Sequence, residues 1–176
     1  FLSWLVCATF IDLDHMVIPD PFTIGAGVAG VLLSLVLPAL HEPAADFFLL
    51  ASLHSGFAAL TGLLIGSGLV LWIALLAEVV LKKEAMGFGD VTLMAMAGAY
   101  LGPGRTLLTI FIGAFLGAVG FLAVVYPIPW LRSRKRGDAF APPLVPFGVF
   151  LAPAAMIALL WGSRMMHWYV HDVMKL

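Results

Sequence analysis

S-G-F-A-A-L-T-G-L-L-I-G-S-G-L-V-L-W-I-A-L-L-A-E-V-V-L, residues 55–81, is a run of 27 residues whose only charge is Glu78. A helix over this run is about 40 Å long at about 1.5 Å per residue, more than the roughly 30 Å of hydrocarbon in a bilayer. Within lipid the backbone must satisfy its own polar groups, so the stretch reads as a membrane helix and the chain as an all-α, polytopic membrane protein. The composition agrees. The 176 residues are 62% hydrophobic and only 11% charged, with a mean hydropathy of +1.08; soluble domains are about a quarter charged. A net charge of -1 gives no electrostatic footprint for nucleic acid, which is excluded as a partner, and the lipid bilayer is the first partner expected. A single cysteine, Cys7, excludes an intrachain disulfide and a thiolate zinc site built from this chain alone.

Working outward, Phe22–Leu40 predicts a helix opened by Asp20 as N-cap and Pro21 at N1. The connection 41–54 carries Glu42 and Asp46 but no Lys or Arg. After Lys82 and Lys83 come a short helix over 91–101, the turn Gly102-Pro103-Gly104 and a helix over 106–126. A loop holding R-S-R-K-R-G-D follows, then a helix over 144–162 interrupted by Pro146 and Pro153, with an amphipathic tail. The opening run before Asp12 has eleven residues, about half a membrane span, and begins at Phe1. It reads as the tail of a helix that starts upstream, so about six membrane helices form a single domain over 1–176 of a longer protein, and the run lacks the basic flank of a signal peptide.

Alternating the helices places Lys82, Lys83, Arg132, Arg134, Lys135 and Arg136 on one side, with Arg105, Arg164 and Lys175 on the other. The richer side reads as cytoplasmic. The same parity brings Asp12, at the end of the first helix, and Asp90, two crossings later, to that side of the membrane.

Two clusters there carry chemistry. I-D-L-D-H-M-V-I-P-D, residues 11–20, packs three carboxylates and a histidine at a helix end. Asp20 reads most simply as a helix cap, and Asp14 and His15 as residues of a solvated turn. Asp12 lies one residue inside the apolar run, where a carboxylate is expensive. E-A-M-G-F-G-D, residues 84–90, sets Asp90 behind Gly87 and Gly89. Asp90 reads either as an N-cap or as a functional carboxylate, with glycines that let an extended peptide approach. Two facing carboxylates that share a proton let one act as base on a water while the other protonates a peptide carbonyl. His41 and His54 fall on the opposite side. His167 and His171, at i and i+4, lack a third metal ligand nearby. A transporter relaying protons or cations through the same aspartates is the rival reading from another class.

I-D-L-D-H-M-V-I-P-D, then E-A-M-G-F-G-D-V-T-L-M-A-M-A-G-A (84–99), then V-P-F-G-V-F-L-A-P (145–153) closely resemble the bacterial type IV prepilin peptidases, the G-x-G-D membrane aspartyl proteases. The three motifs follow the family's order over nearly the whole chain. The resemblance implies that Asp12 and Asp90 are the catalytic pair, with Gly87, Gly89, Asp14, Asp20, Glu84, Pro146 and Gly148 as motif or substrate-binding positions. It implies an aspartic endopeptidase that removes the basic leader of type IV prepilins or type II secretion pseudopilins at the cytoplasmic face of the inner membrane, with no cofactor for proteolysis. In many relatives S-adenosylmethionine then methylates the new N-terminus, and an additional N-terminal region binds zinc through paired cysteines. Neither that region nor earlier helices belong to this chain, which leaves methylation with the full-length protein. Val149 departs from the P-F-G-P of many relatives, and the retained Pro146 and Gly148 make it tolerable. An archaeal-type preflagellin peptidase or a minimal prepilin peptidase is the nearest alternative. Glu78, Glu84 and Asp14 are expected to pair with basic residues of the leader.

Overall fold

The structure, a computed structural model, describes residues 1–15, 18–41, 47–82, 87–120, 122 and 147–173. Five α-helices lie in these residues: α1 (Leu2–His15), α2 (Asp20–Val36), α3 (Phe48–Leu81), α4 (Phe88–Gly120) and α5 (Gly148–Trp168). A 3₁₀ turn (Pro38–His41) follows α2, and a π-helical turn (Tyr169–Val173) ends α5. Parts of α3, α4 and α5 are long and apolar enough to cross a bilayer, and α2 is a shorter apolar helix. The chain is an all-α membrane protein, and its large apolar side chains face outward in the manner lipid requires: Val80 is 78% exposed and Phe111 77%.

The sequence predicts about six helices, whereas five are found among the described residues. The expected fourth and fifth are the two limbs of α4, broken at Gly102, whose φ of 73° and ψ of 175° are non-helical. A positive φ costs glycine little, and Pro103 starts the second limb at a position where its missing N–H is no loss. The break reverses the chain. Asp90, near the start of the first limb, reaches Gly148 at the start of α5, and Gly120, at the end of the second limb, packs against Phe150. Between them, Arg105 packs against Gly162 near the other end of α5. The two limbs are therefore antiparallel.

The first limb is the axis of the bundle. From Asp90 to Gly102 every residue is buried except the half-buried Ala95. Small residues make this enclosure feasible. A Cβ on Gly62 of α3 would collide with the backbone oxygen of Gly98, and a Cβ on Gly98 with that of Gly62, so the helices touch backbone to backbone. Phe1 stacks on Tyr100 with ring centroids 4.7 Å apart, and Trp4 stacks on Phe22 at 4.7 Å, fastening α1 to α4 and α2. From Leu71 to Val80 no residue of α3 is buried, so that stretch lies outside the packed core.

Several boundaries differ from those expected. The second helix ends at Val36 rather than Leu40, because Pro38 cannot continue it and opens the 3₁₀ turn. The third begins at Phe48 rather than Ser55 and so takes in His54. Asp20 is not the N-cap of α2. The cap position is Pro19, which makes no side-chain capping bond, and Asp20 lies in the first helical turn, where its carboxylate still complements the helix dipole. The expected amphipathic tail continues α5 to Trp168. The R-S-R-K-R-G-D loop lies outside the described residues.

Candidate active site

Leu5, Ala8 and Asp12 form the buried face of α1, so the spacing that points two apolar side chains into the core also points a carboxylate there. Asp12 is only 5% exposed. Asp90, also 5% exposed, is the third residue of α4, and its backbone N–H bonds the Gly87 carbonyl at 3.1 Å. The alternative reading of Asp90 as a helix cap gives way to a different role for its side chain, which accepts a hydrogen bond from the backbone N–H of Gly148, the first residue of α5.

Gly148 joins the two carboxylates. A Cβ built on it would lie 2.6 Å from Asp12 Oδ2 and 2.8 Å from Asp90 Oδ1, so the two oxygens are no farther apart than the sum of those distances. Three helices thus meet at one point: the end of α1, the start of α4 and the start of α5. The N-terminal end of α5 directs its positive dipole end at the pair. Asp12 Oδ2 is buried and makes no hydrogen bond, leaving an acceptor open at the centre of the site. Two carboxylates this close are held at least cost with one proton between them.

The remaining motif residues separate into distinct roles. A Cβ on Gly89 would lie 3.1 Å from Cβ of the buried Ile18, so Gly89 lets the segment after Asp12 pack directly on the turn before Asp90. Nothing closer than 4.0 Å opposes a Cβ on Gly87. Thr92 Oγ donates to the Gly89 carbonyl at 3.0 Å and pins the same turn. Asp14 and Asp20 are exposed and stand outside the buried pair. Glu84 and Pro146 lie outside the described residues. Ile18 and Thr92 escaped the reading of the sequence. The hydroxyl three residues beyond Gly89 is a signal that could have found Thr92, whereas Ile18 carries none.

Among the described residues no group of three or more His, Cys, Asp or Glu is arranged to hold a metal. S-adenosylmethionine fits the described cavities poorly. Two grooves, one between α2, α3 and α4 and one between α1 and α5, are lined by apolar side chains and threonines. A third cavity is lined by Arg105 among its polar residues, and the guanidinium charge opposes a sulfonium cation.

Residues 1–122 match the family model described as the type IV leader peptidase family. The prepilin leader peptidase/N-methyltransferase of Aeromonas hydrophila is 35% identical over 178 residues, covering 96% of this chain and 51% of that protein. The enzyme of the same name from Pseudomonas aeruginosa is 37% identical over 171 residues, covering 96% of this chain and 51% of the relative. The type 4 prepilin-like proteins leader peptide-processing enzyme of Escherichia coli is 37% identical over 101 residues, covering 57% of this chain and 33% of that enzyme. The chain spans about half the length of the first two. No solved structure gives a significant match.

Proposed function

The chain belongs to the type IV leader peptidase family, and from that premise we propose that it is the aspartyl endopeptidase portion of a prepilin leader peptidase, with Asp12 and Asp90 as its catalytic pair. The observation that carries this reading is the convergence of both carboxylates on Gly148, in the core of a membrane protein otherwise poor in acids. Burying two carboxylates together works against folding, and such a cost is characteristic of functional sites.

The chemistry follows from the pair. One carboxylate, ionised, takes a proton from an attacking water. The other, protonated, donates to the carbonyl oxygen of the scissile peptide, and the tetrahedral intermediate collapses as the proton passes to the leaving amine. The Gly148 N–H holds the Asp90 carboxylate in place through these transfers.

The substrate is a prepilin or pseudopilin whose apolar helix lies in the bilayer and whose basic leader lies at the dyad end. That end faces the cytoplasm of the bacterial inner membrane, a reading supported by Lys82 and by the basic loop in the sequence. Asp14, Asp20 and Glu78 are exposed, which suits pairing with a leader's Lys or Arg. Methylation by S-adenosylmethionine, and a zinc-binding region, belong to the full-length protein in this reading.

The test is cleavage of a prepilin-type substrate by the full-length protein in proteoliposomes, with the products identified by mass spectrometry. Asp12→Asn and Asp90→Asn should each abolish cleavage while the protein remains folded. Cleavage surviving in either variant removes that residue from the catalytic pair.

A further inference from the structure

Building on the reading of the chain as a leader peptidase, on which this assignment rests, we propose that the groove between α1 and α5 is the subsite for the apolar substrate residues that follow the scissile bond. In it the backbone carbonyl of Val149 accepts one of their N–H groups. The groove has a volume of about 230 Å³ and adjoins the aspartates: Thr9 lies three residues before Asp12, and Val149 follows Gly148. Leu5 and Ala152 form its floor, at 1% and 2% exposure, while Phe10 is 63% exposed at its rim. From Val149 to Met156 the groove runs about 10 Å along α5, away from the dyad and into the membrane span.

Pro153 supplies the acceptor. It lies inside α5 and has no backbone N–H, so the carbonyl four residues earlier, that of Val149, loses its helical donor. Among the described residues Thr9 is the only polar side chain lining the groove. Its hydroxyl donates to the Leu5 carbonyl at 2.7 Å, which leaves the oxygen as a second acceptor. The occupant's chemistry follows from these acceptors. A peptide bond must leave the helix to be cut, and the residues just past it then carry N–H groups with no helical partner. In apolar surroundings each such donor needs an acceptor. A freed carbonyl next to Gly148, set in an apolar wall, meets that need, whereas a lipid acyl chain brings no donor to it.

Direction excludes the other apolar groove, between α2, α3 and α4. Thr92, which lines it, is two residues after Asp90 and so lies about 200° around α4. That groove therefore sits behind the helix that carries Asp90. Ala152, by contrast, is four residues after Gly148, about 40° around α5, on the face that meets the aspartates. A substrate lying between α1 and α5 reaches the dyad without crossing a helix.

Pro153→Ala returns an N–H to the Val149 carbonyl. In the full-length protein in proteoliposomes it should raise KM for a prepilin-type substrate about fivefold, the share of one net hydrogen bond, with kcat within about twofold. Its thermal melt should be unchanged or higher, since a proline leaves the helix interior. A photo-crosslinking benzophenone amino acid in place of Phe10, with Asp90→Asn to keep the substrate whole, should capture substrate residues just past the scissile bond, mapped by mass spectrometry. The same group in place of Val28, which lines the other groove, should not. If Pro153→Ala does not fold, the crosslinks carry the test. An unchanged KM in a folded Pro153→Ala, or capture from position 28 and none from position 10, overturns the groove assignment and leaves the dyad standing. An unaltered protein that cleaves no prepilin-type substrate overturns the leader-peptidase reading and this assignment with it.

Discussion

Replacing Gly148 by alanine places one methyl group where the two aspartates meet. The new Cβ would lie 2.6 Å from Asp12 Oδ2 and 2.8 Å from Asp90 Oδ1, whereas ordinary contact begins at 3.4 Å. The oxygens must therefore retreat by about 0.8 Å and about 0.6 Å, the differences between those distances, or α5 must shift with its N–H. Overpacking of this kind costs about 1–3 kcal/mol of stability. Misplacement of reacting groups by about 1 Å costs roughly 10²-fold in rate. Gly148→Ala should thus leave a folded protein with a modestly lower melting temperature and about 10²-fold slower leader cleavage at saturating substrate. Gly25→Ala is the control, since nothing lies within 4 Å of its Cβ. The assay is turnover of a prepilin-type substrate in proteoliposomes beside a thermal melt. Turnover by Gly148→Ala within a few-fold of the unaltered protein refutes the placement of the carboxylates on either side of this glycine.

Gly98→Ala, which forces a methyl onto the Gly62 backbone, should lower the melting temperature by several degrees, read by a detergent thermal melt. Asp14→Asn and Asp20→Asn, at exposed positions, should leave turnover at saturating substrate within a few-fold and raise KM for leaders rich in Lys or Arg; an unchanged KM in both contradicts leader pairing. A pair working with one proton requires a bell-shaped dependence of kcat/KM on pH, with activity lost when both carboxylates are protonated and again when both are ionised. A profile with a single limb on both sides of neutrality contradicts the shared proton.

Much of the fold was legible because the bilayer imposes few rules. Long apolar runs gave the helices, Gly102-Pro103-Gly104 gave the reversal, and parity put Asp12 and Asp90 at one end before any side chain was placed. Local grammar failed where tertiary packing decided. Asp20 before Pro21 has the form of a cap, yet the helix starts a residue earlier and the carboxylate faces outward. Gly89 suggested freedom for a bound peptide, whereas its small size serves the packing of Ile18, 71 residues earlier in the chain. Gly148 was picked out by its motif, but its place between two carboxylates emerges only when α5 folds back onto α1 and α4. The meeting of four histidines with Arg105 is equally non-local, since four separate segments reach that cavity.

The central claim, that Asp12 and Asp90 act as one unit, is tested most directly by a double-substitution cycle in the full-length protein. Leader cleavage would be measured for Asp12→Asn, Asp90→Asn and the two combined, with folding checked by thermal melts. Groups that act as a unit are grossly non-additive, so the doubly substituted protein should be no slower than the worse single variant. Losses that multiply, with measurable cleavage in each single variant, would contradict a shared site and separate the two aspartates.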